Sequence, residues 1–155
     1  MPTLSRWFVR TALVWLGLGV SLGAALLVNK ASGFAPMVWT LLPLHISFLL
    51  VGWALELALG VAWWLLPRLE DNRRVHPALG WGSWGLLTGG LVVEVAAQLW
   101  SVWMGGAGSA GFAVGSSMAV VGVLCFVVAV WRRVGFVPEE IRRWRQSRGG
   151  AERGG

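Results

Sequence analysis

The chain has 155 residues, of which 56% are hydrophobic and 13% charged, and its formal net charge is +6. A soluble domain carries about a quarter charged residues, so these proportions exclude an ordinary soluble fold and point to a membrane protein. The basic residues gather at the ends of apolar runs, which makes them a topology signal and argues against nucleic acid as a partner.

Residues 1–10 read as a short basic lead, with Trp7 and Phe8 at the membrane interface. Four apolar runs follow, over 11–28, 44–66, 79–103 and 111–130. Each is close to the ~20 residues a helix needs to cross ~30 Å of hydrocarbon. A membrane β-barrel would alternate apolar and polar positions, and no run does, so the expected fold class is all-α, an integral membrane four-helix bundle. No small-residue cleavage pattern follows the first run, which is therefore expected to be retained and not removed as a signal peptide.

The first run holds Gly19 and Gly23 in a GxxxG spacing that lets another helix approach closely. The spacing recurs at Gly85 and Gly89 in the third run and at Gly111 and Gly115 in the fourth. Together these predict a tightly packed bundle, with contacts either within one chain or between two. The polar segment 70–77, including His76, reads as a tight connection with a solvated histidine. Of the twelve tryptophans, Trp63, Trp64, Trp81, Trp84 and Trp131 fall near one boundary and Trp39, Trp100 and Trp103 near the other, as an aromatic belt does. Trp15 and Trp53 lie deeper and read as bulk. The single cysteine, Cys125, lies inside the fourth run and reads as a packing thiol.

Arg6 and Arg10 precede the first run, Arg68, Arg73 and Arg74 follow the second, and Arg132 and Arg133 follow the fourth. The first connection has only Lys30 and the third, 105–110, has no charge, so both termini are expected in the cytoplasm (N-in/C-in). The chain then divides into a transmembrane domain over 1–131 and a basic cytoplasmic tail over 132–155. In that tail Pro138, Glu139 and Glu140 suit a helix start. Ile141 and Trp144 among four arginines predict a short interfacial amphipathic helix on the lipid surface.

Ionisable groups inside a span are costly and are therefore candidate functional residues. Three stand out: His45, Glu56 and Glu94, with Gln98 as a neutral companion one turn beyond Glu94. Eleven residues at 100° each return Glu56 to within about 20° of the His45 face. Gly52 and Gly60 share that stripe, and Phe48 flanks it. The stripe His45, Phe48, Gly52, Glu56 and Gly60 is open enough for a flat cofactor, or for another backbone, to lie on it. Imidazole is a common metal ligand, and a membrane histidine facing small residues suits a haem iron. The plainer alternative is an interfacial histidine bonded to a backbone carbonyl. Glu94 and Gln98 read first as glue between helices, with Ser21 or Ser116 as partners.

The second run, LPLHISFLLVGWALELALGVAWWLLPR, resembles the second transmembrane helix of subunit I in haem-copper oxidases and nitric oxide reductases, especially the cbb3-like branch. The preceding LSRWFVRTALVWLGLGVSLGA is similar to the helix before it in such proteins. The resemblance covers about half the chain. It implies haem b, with His45 at the position of an axial ligand of the low-spin haem. The departures are equally informative, because four spans stand where that family has about twelve. The later histidines for the second axial position and for copper are missing, and the chain has no tyrosine. Oxygen or nitric oxide reduction by this chain alone is thus not expected. A sixth ligand would come from a methionine such as Met104 or Met118, or from a second subunit, most simply in a homodimer. Two readings result. One is a haem b protein of the bacterial inner membrane, for electron transfer or diatomic gas binding. The other is a cofactor-free accessory or assembly subunit of a respiratory oxidase complex.

Overall fold

The computed structural model describes residues 2–33, 35–66, 77–104 and 109–134. His76, the arginines at 68, 73 and 74, and the expected amphipathic helix of the tail lie outside the described residues. The described chain is all-α, with four helices long and apolar enough to cross a membrane. Helix α1 is Thr3–Ser32. The second span, Met37–Leu65, is called α2, and α3 and α4 are Pro77–Met104 and Ser109–Val134. The protein is therefore a multi-pass membrane four-helix bundle. In hydrocarbon every peptide group must be satisfied within its own segment, and long helices are the solution open to runs of this composition.

Two boundaries differ from expectation, for local reasons. Helix α1 begins at Thr3, directly after Pro2, so Arg6 and Arg10 of the short lead are helical residues continuous with the span. It stops at Gly33, whose left-handed backbone (φ 63°) lets its N–H bond the Asn29 carbonyl at 2.8 Å. The Asn29 side chain is buried, and its Oδ1 accepts from the Ala35 N–H at 2.7 Å, tying the connection onto the end of the helix.

Helix α2 is wound in four stretches. A 3₁₀ turn over Pro36–Leu41 leads into an α-helical turn over Leu42–Ser47, then a π-helical segment over Phe48–Leu55, then α-helix again over Glu56–Leu65. A π segment bonds i→i+5 and so turns less per residue than an α-helix. It lies between His45 and Glu56, the two ionisable residues of this span.

Helices α1 and α2 pair along their length, as do α3 and α4, and the two pairs meet at two clusters. At the end holding the start of α1 and the end of α4, Leu4, Phe8, Trp63, Leu87, Phe126 and Val130 are buried together. Phe126 is central there, with ring centroids 6.2 Å from Phe8 and 5.9 Å from Trp63. Further out, Trp15, Leu44, Phe48 and Leu91 form the second cluster. Trp63 is thus core, and Trp84 is half-buried with its ring 5.6 Å from Trp7, whereas Trp64, Trp81, Trp100, Trp103 and Trp131 stay exposed as a belt would.

Between α3 and α4 the close approach is made by Gly90 and Gly115. A methyl on Gly115 would sit 2.5 Å from the Gly90 carbonyl oxygen and 2.6 Å from Glu94 Cγ. The α3 residue in the crossing is Gly90 and not Gly85, around which nothing lies within 4 Å. In lipid, burying one more leucine gains little because the tails are equally apolar, so such backbone-to-backbone packing carries much of the association.

Candidate functional site

The stripe expected on α2 is covered by α1 of the same chain. A methyl on Gly60 would lie 2.7 Å from Phe8 Cβ, and one on Gly52 would lie 2.6 Å from both Cβ and Cγ of Trp15. Phe48 is buried with its ring 5.0 Å from that of Trp15. Ser5 donates from Oγ to the Gly60 carbonyl at 2.7 Å. Of the two occupants that small residues permit, another backbone has taken this face. Phe48, Gly52, Glu56 and Gly60 are packing positions, and no surface is left there for a flat cofactor.

Glu56 is fully buried. Thr11 of α1 donates to its Oε2 at 2.7 Å, and Thr88 of α3 donates to its Oε1 at 3.0 Å. Trp84 Nε1–H reaches the Thr11 hydroxyl at 3.3 Å. The one Thr11 proton has further acceptors in the Trp7 and Phe8 carbonyls at 2.9 and 3.1 Å. The carboxyl therefore bonds α2 to both α1 and α3, beside the Trp84–Thr11 bond and the Trp7–Trp84 ring contact that join α1 to α3 directly. Sequence reasoning did not single out Thr11, Thr88 or Trp84. A buried carboxyl needs hydroxyl donors, and few hydroxyls lie inside these spans, so that shortage was the available signal.

His45 and Glu56 do not work as a pair. His45 meets α1 at Gly19 and Gly23, whereas Glu56 meets it at Thr11. Eight helical residues, Thr11 to Gly19, separate these levels by about 12 Å. Glu56 turns inward between three helices, while His45 stays at the outer margin of the α1–α2 contact.

The His45 ring lies on Gly23, where a methyl would come 2.6 Å from Cε1. Its Nδ1 is 2.9 Å from the Gly19 carbonyl oxygen. A carbonyl only accepts, so Nδ1 carries the proton, and in the neutral ring Nε2 keeps its lone pair. Nε2 has no hydrogen-bond partner among the described residues. A bond from Nδ1 to a backbone carbonyl is what a helix-bridging histidine makes; it is also the outer bond that fixes the ring of a metal-ligating histidine.

What distinguishes His45 is the space beside it. An open groove of about 490 Å³ runs along α1 and the start of α2. Gly23 and His45 line it, Val20, Ala24, Leu27 and Leu42 form apolar walls, and Lys30 and Trp39 also border it. Among the described residues, no three His, Cys, Asp or Glu side chains gather to hold a metal ion. A bare ion is thus poorly served. A group needing one nitrogen ligand and apolar walls fits the donor set better, and haem is such a group. The methionines expected as a sixth ligand do not reach this place. Met118 packs from α4 against Gly89 of α3, and Met104 is exposed at the end of α3.

Glu94 is also buried, and its Oε1 accepts from Ser116 Oγ at 2.7 Å, joining α3 to α4. Its Oε2 has no partner in the described structure. Ser21 is not involved, because its hydroxyl bonds the Gly17 carbonyl of its own helix. Gln98 parts from Glu94 and donates from Nε2 to the Thr40 carbonyl at 2.7 Å, linking α3 to the start of α2. Cys125 is a half-buried free thiol.

No protein-family model, curated protein or solved structure matches this chain. The functional reading rests on the residues and their geometry.

Proposed function

We propose that this protein is a small haem b-binding protein of the bacterial inner membrane, with His45 as the axial ligand its chain supplies. The supporting observation is the His45 imidazole itself. Its Nδ1–H is held on the Gly19 carbonyl, and Nε2 is left unpaired on a ring that lines an open, mostly apolar groove. When bound, haem would supply one-electron exchange or a site for a diatomic gas. The chain's own contributions are the nitrogen, its orientation, and aliphatic walls that keep water off one face of the group.

The groove brings one strong ligand, and neither Met104 nor Met118 borders it. The second ligand, where there is one, comes from another copy of the chain, which makes a homodimer the simplest assembly for electron transfer. A gas-binding role would leave that position open.

Absorption spectra of the detergent-purified protein, oxidised and reduced, test this reading. The expected result is a Soret band that His45→Gly abolishes and added imidazole restores. Rescue by imidazole separates loss of the ligand from loss of the fold. Sharp reduced bands in a dimer would indicate two strong ligands, whereas a spectrum that shifts with carbon monoxide would indicate an open position. A colourless wild type after haem-sufficient expression refutes the proposal and leaves the accessory-subunit reading in its place.

A further inference from the structure

The groove has a second polar feature besides His45. Lys30 follows Gly23 by seven residues, so it lies within about 20° of the same face of α1 and about 10 Å further along the axis. The groove therefore runs from an imidazole, past Ala24 and Leu27, to an ammonium group beside Trp39. Lys30 has no ion-pair partner among the described residues. The connections at this end, around 33–41 and 105–108, carry no acid that could become one. A lysine in the last turn of a membrane helix can extend to the headgroups and favours the helix dipole, which accounts for a cation at this level. It does not account for the cation standing on the same groove as an unpaired imidazole nitrogen, two helical turns away.

Resting on the haem reading above, we propose that Lys30 is the anchor for the carboxylate side chains of the bound group. The occupant is then a metalloporphyrin carrying free acids, held with its acidic edge toward the C-terminal end of α1. That end lies opposite Thr3 and Val134, so the acidic edge would face the side of the membrane away from those two residues. Lys30 would orient the ligand by a charge-assisted hydrogen bond, while His45 ligates it.

The test titrates the full-length, haem-free protein in detergent with haem and with haem dimethyl ester, whose carboxylates are blocked, following the Soret band. The wild type is expected to bind the free acid at least about tenfold more tightly than the ester, the usual effect of one hydrogen bond to a charged group. Lys30→Met should weaken free-acid binding by a similar factor and leave ester binding unchanged, and Lys30→Arg should restore the preference. Equal affinities of the wild type for acid and ester, or no effect of Lys30→Met on either, would overturn the anchor while leaving His45 ligation standing. Failure of His45→Gly to alter the spectrum of either complex would instead overturn the haem reading itself.

Discussion

Gly52→Ala tests whether the His45–Gly60 stripe is a helix contact or an open cofactor face. The added methyl would fall 2.6 Å from Trp15 Cβ and Cγ and 3.0 Å from Leu91 Cδ1. Ordinary contact begins at 3.4 Å, and Trp15 Cβ is one bond from the backbone and cannot swing away. Relief requires α1 and α2 to separate locally by most of an ångström, which also strains the Ser5 and Thr11 bonds that cross the same contact. Overpacking of this kind costs about 1–3 kcal/mol. Gly17→Ala is the matched control, because nothing lies within 4 Å of the methyl it adds. That change should be neutral or stabilising by about 0.5–1 kcal/mol through helix propensity. Unfolding in mixed micelles with increasing denaturing detergent measures both. Gly52→Ala is expected to be the less stable by about 1–4 kcal/mol, the combined range of the two effects. Equal stabilities would mean that α1 does not cover the stripe, and would return Gly52, Glu56 and Gly60 to the list of cofactor contacts.

Three further outcomes follow from the polar and packing contacts. Glu56→Leu removes the acceptor of two interhelical bonds, each worth about 0.6 kcal/mol on average in a bilayer and up to about 1.7. A loss of about 1–2 kcal/mol by the same unfolding assay is expected, with Glu56→Gln nearer the wild type because it keeps a donor and an acceptor. Equal stability of the two variants would show that these bonds do not hold the helices. Gly115→Val is expected to disrupt the α3–α4 hairpin, whereas Gly85→Val should leave it intact, because only the first meets a backbone oxygen. Disulfide trapping of cysteine pairs placed across that hairpin reads the difference, and equal trapping would refute the assigned crossing. Phe126→Ala empties the centre of the cluster joining the two hairpins. Its cost should exceed about 1 kcal/mol but fall short of the about 3–5 kcal/mol of such a change in water, because lipid offers the exposed groups an equally apolar medium. A cost within error of zero would argue against that cluster.

Membrane residence and helix number were legible from composition, because four runs of spanning length leave the backbone no other way to satisfy its peptide groups. The residues worth asking about were legible too. His45, Glu56 and Glu94 stand out because polar groups are scarce and costly in hydrocarbon. Their partners were not legible. In water, an amphipathic pattern marks the buried face of a helix, but in these spans nearly every face is apolar and lipid is as good a neighbour as protein. Periodicity therefore could not say that Gly52 and Gly60 meet Trp15 and Phe8, or that Gly90 replaces Gly85 in the α3–α4 crossing. A uniform 100° step placed His45 and Glu56 on one face of α2, and both do meet α1, but that they take separate partners there, about 12 Å apart along it, was not legible. Only the assembled bundle gave Glu56 its threonines and set His45 on one groove with Lys30, because those neighbours come from other helices and from close backbone packing.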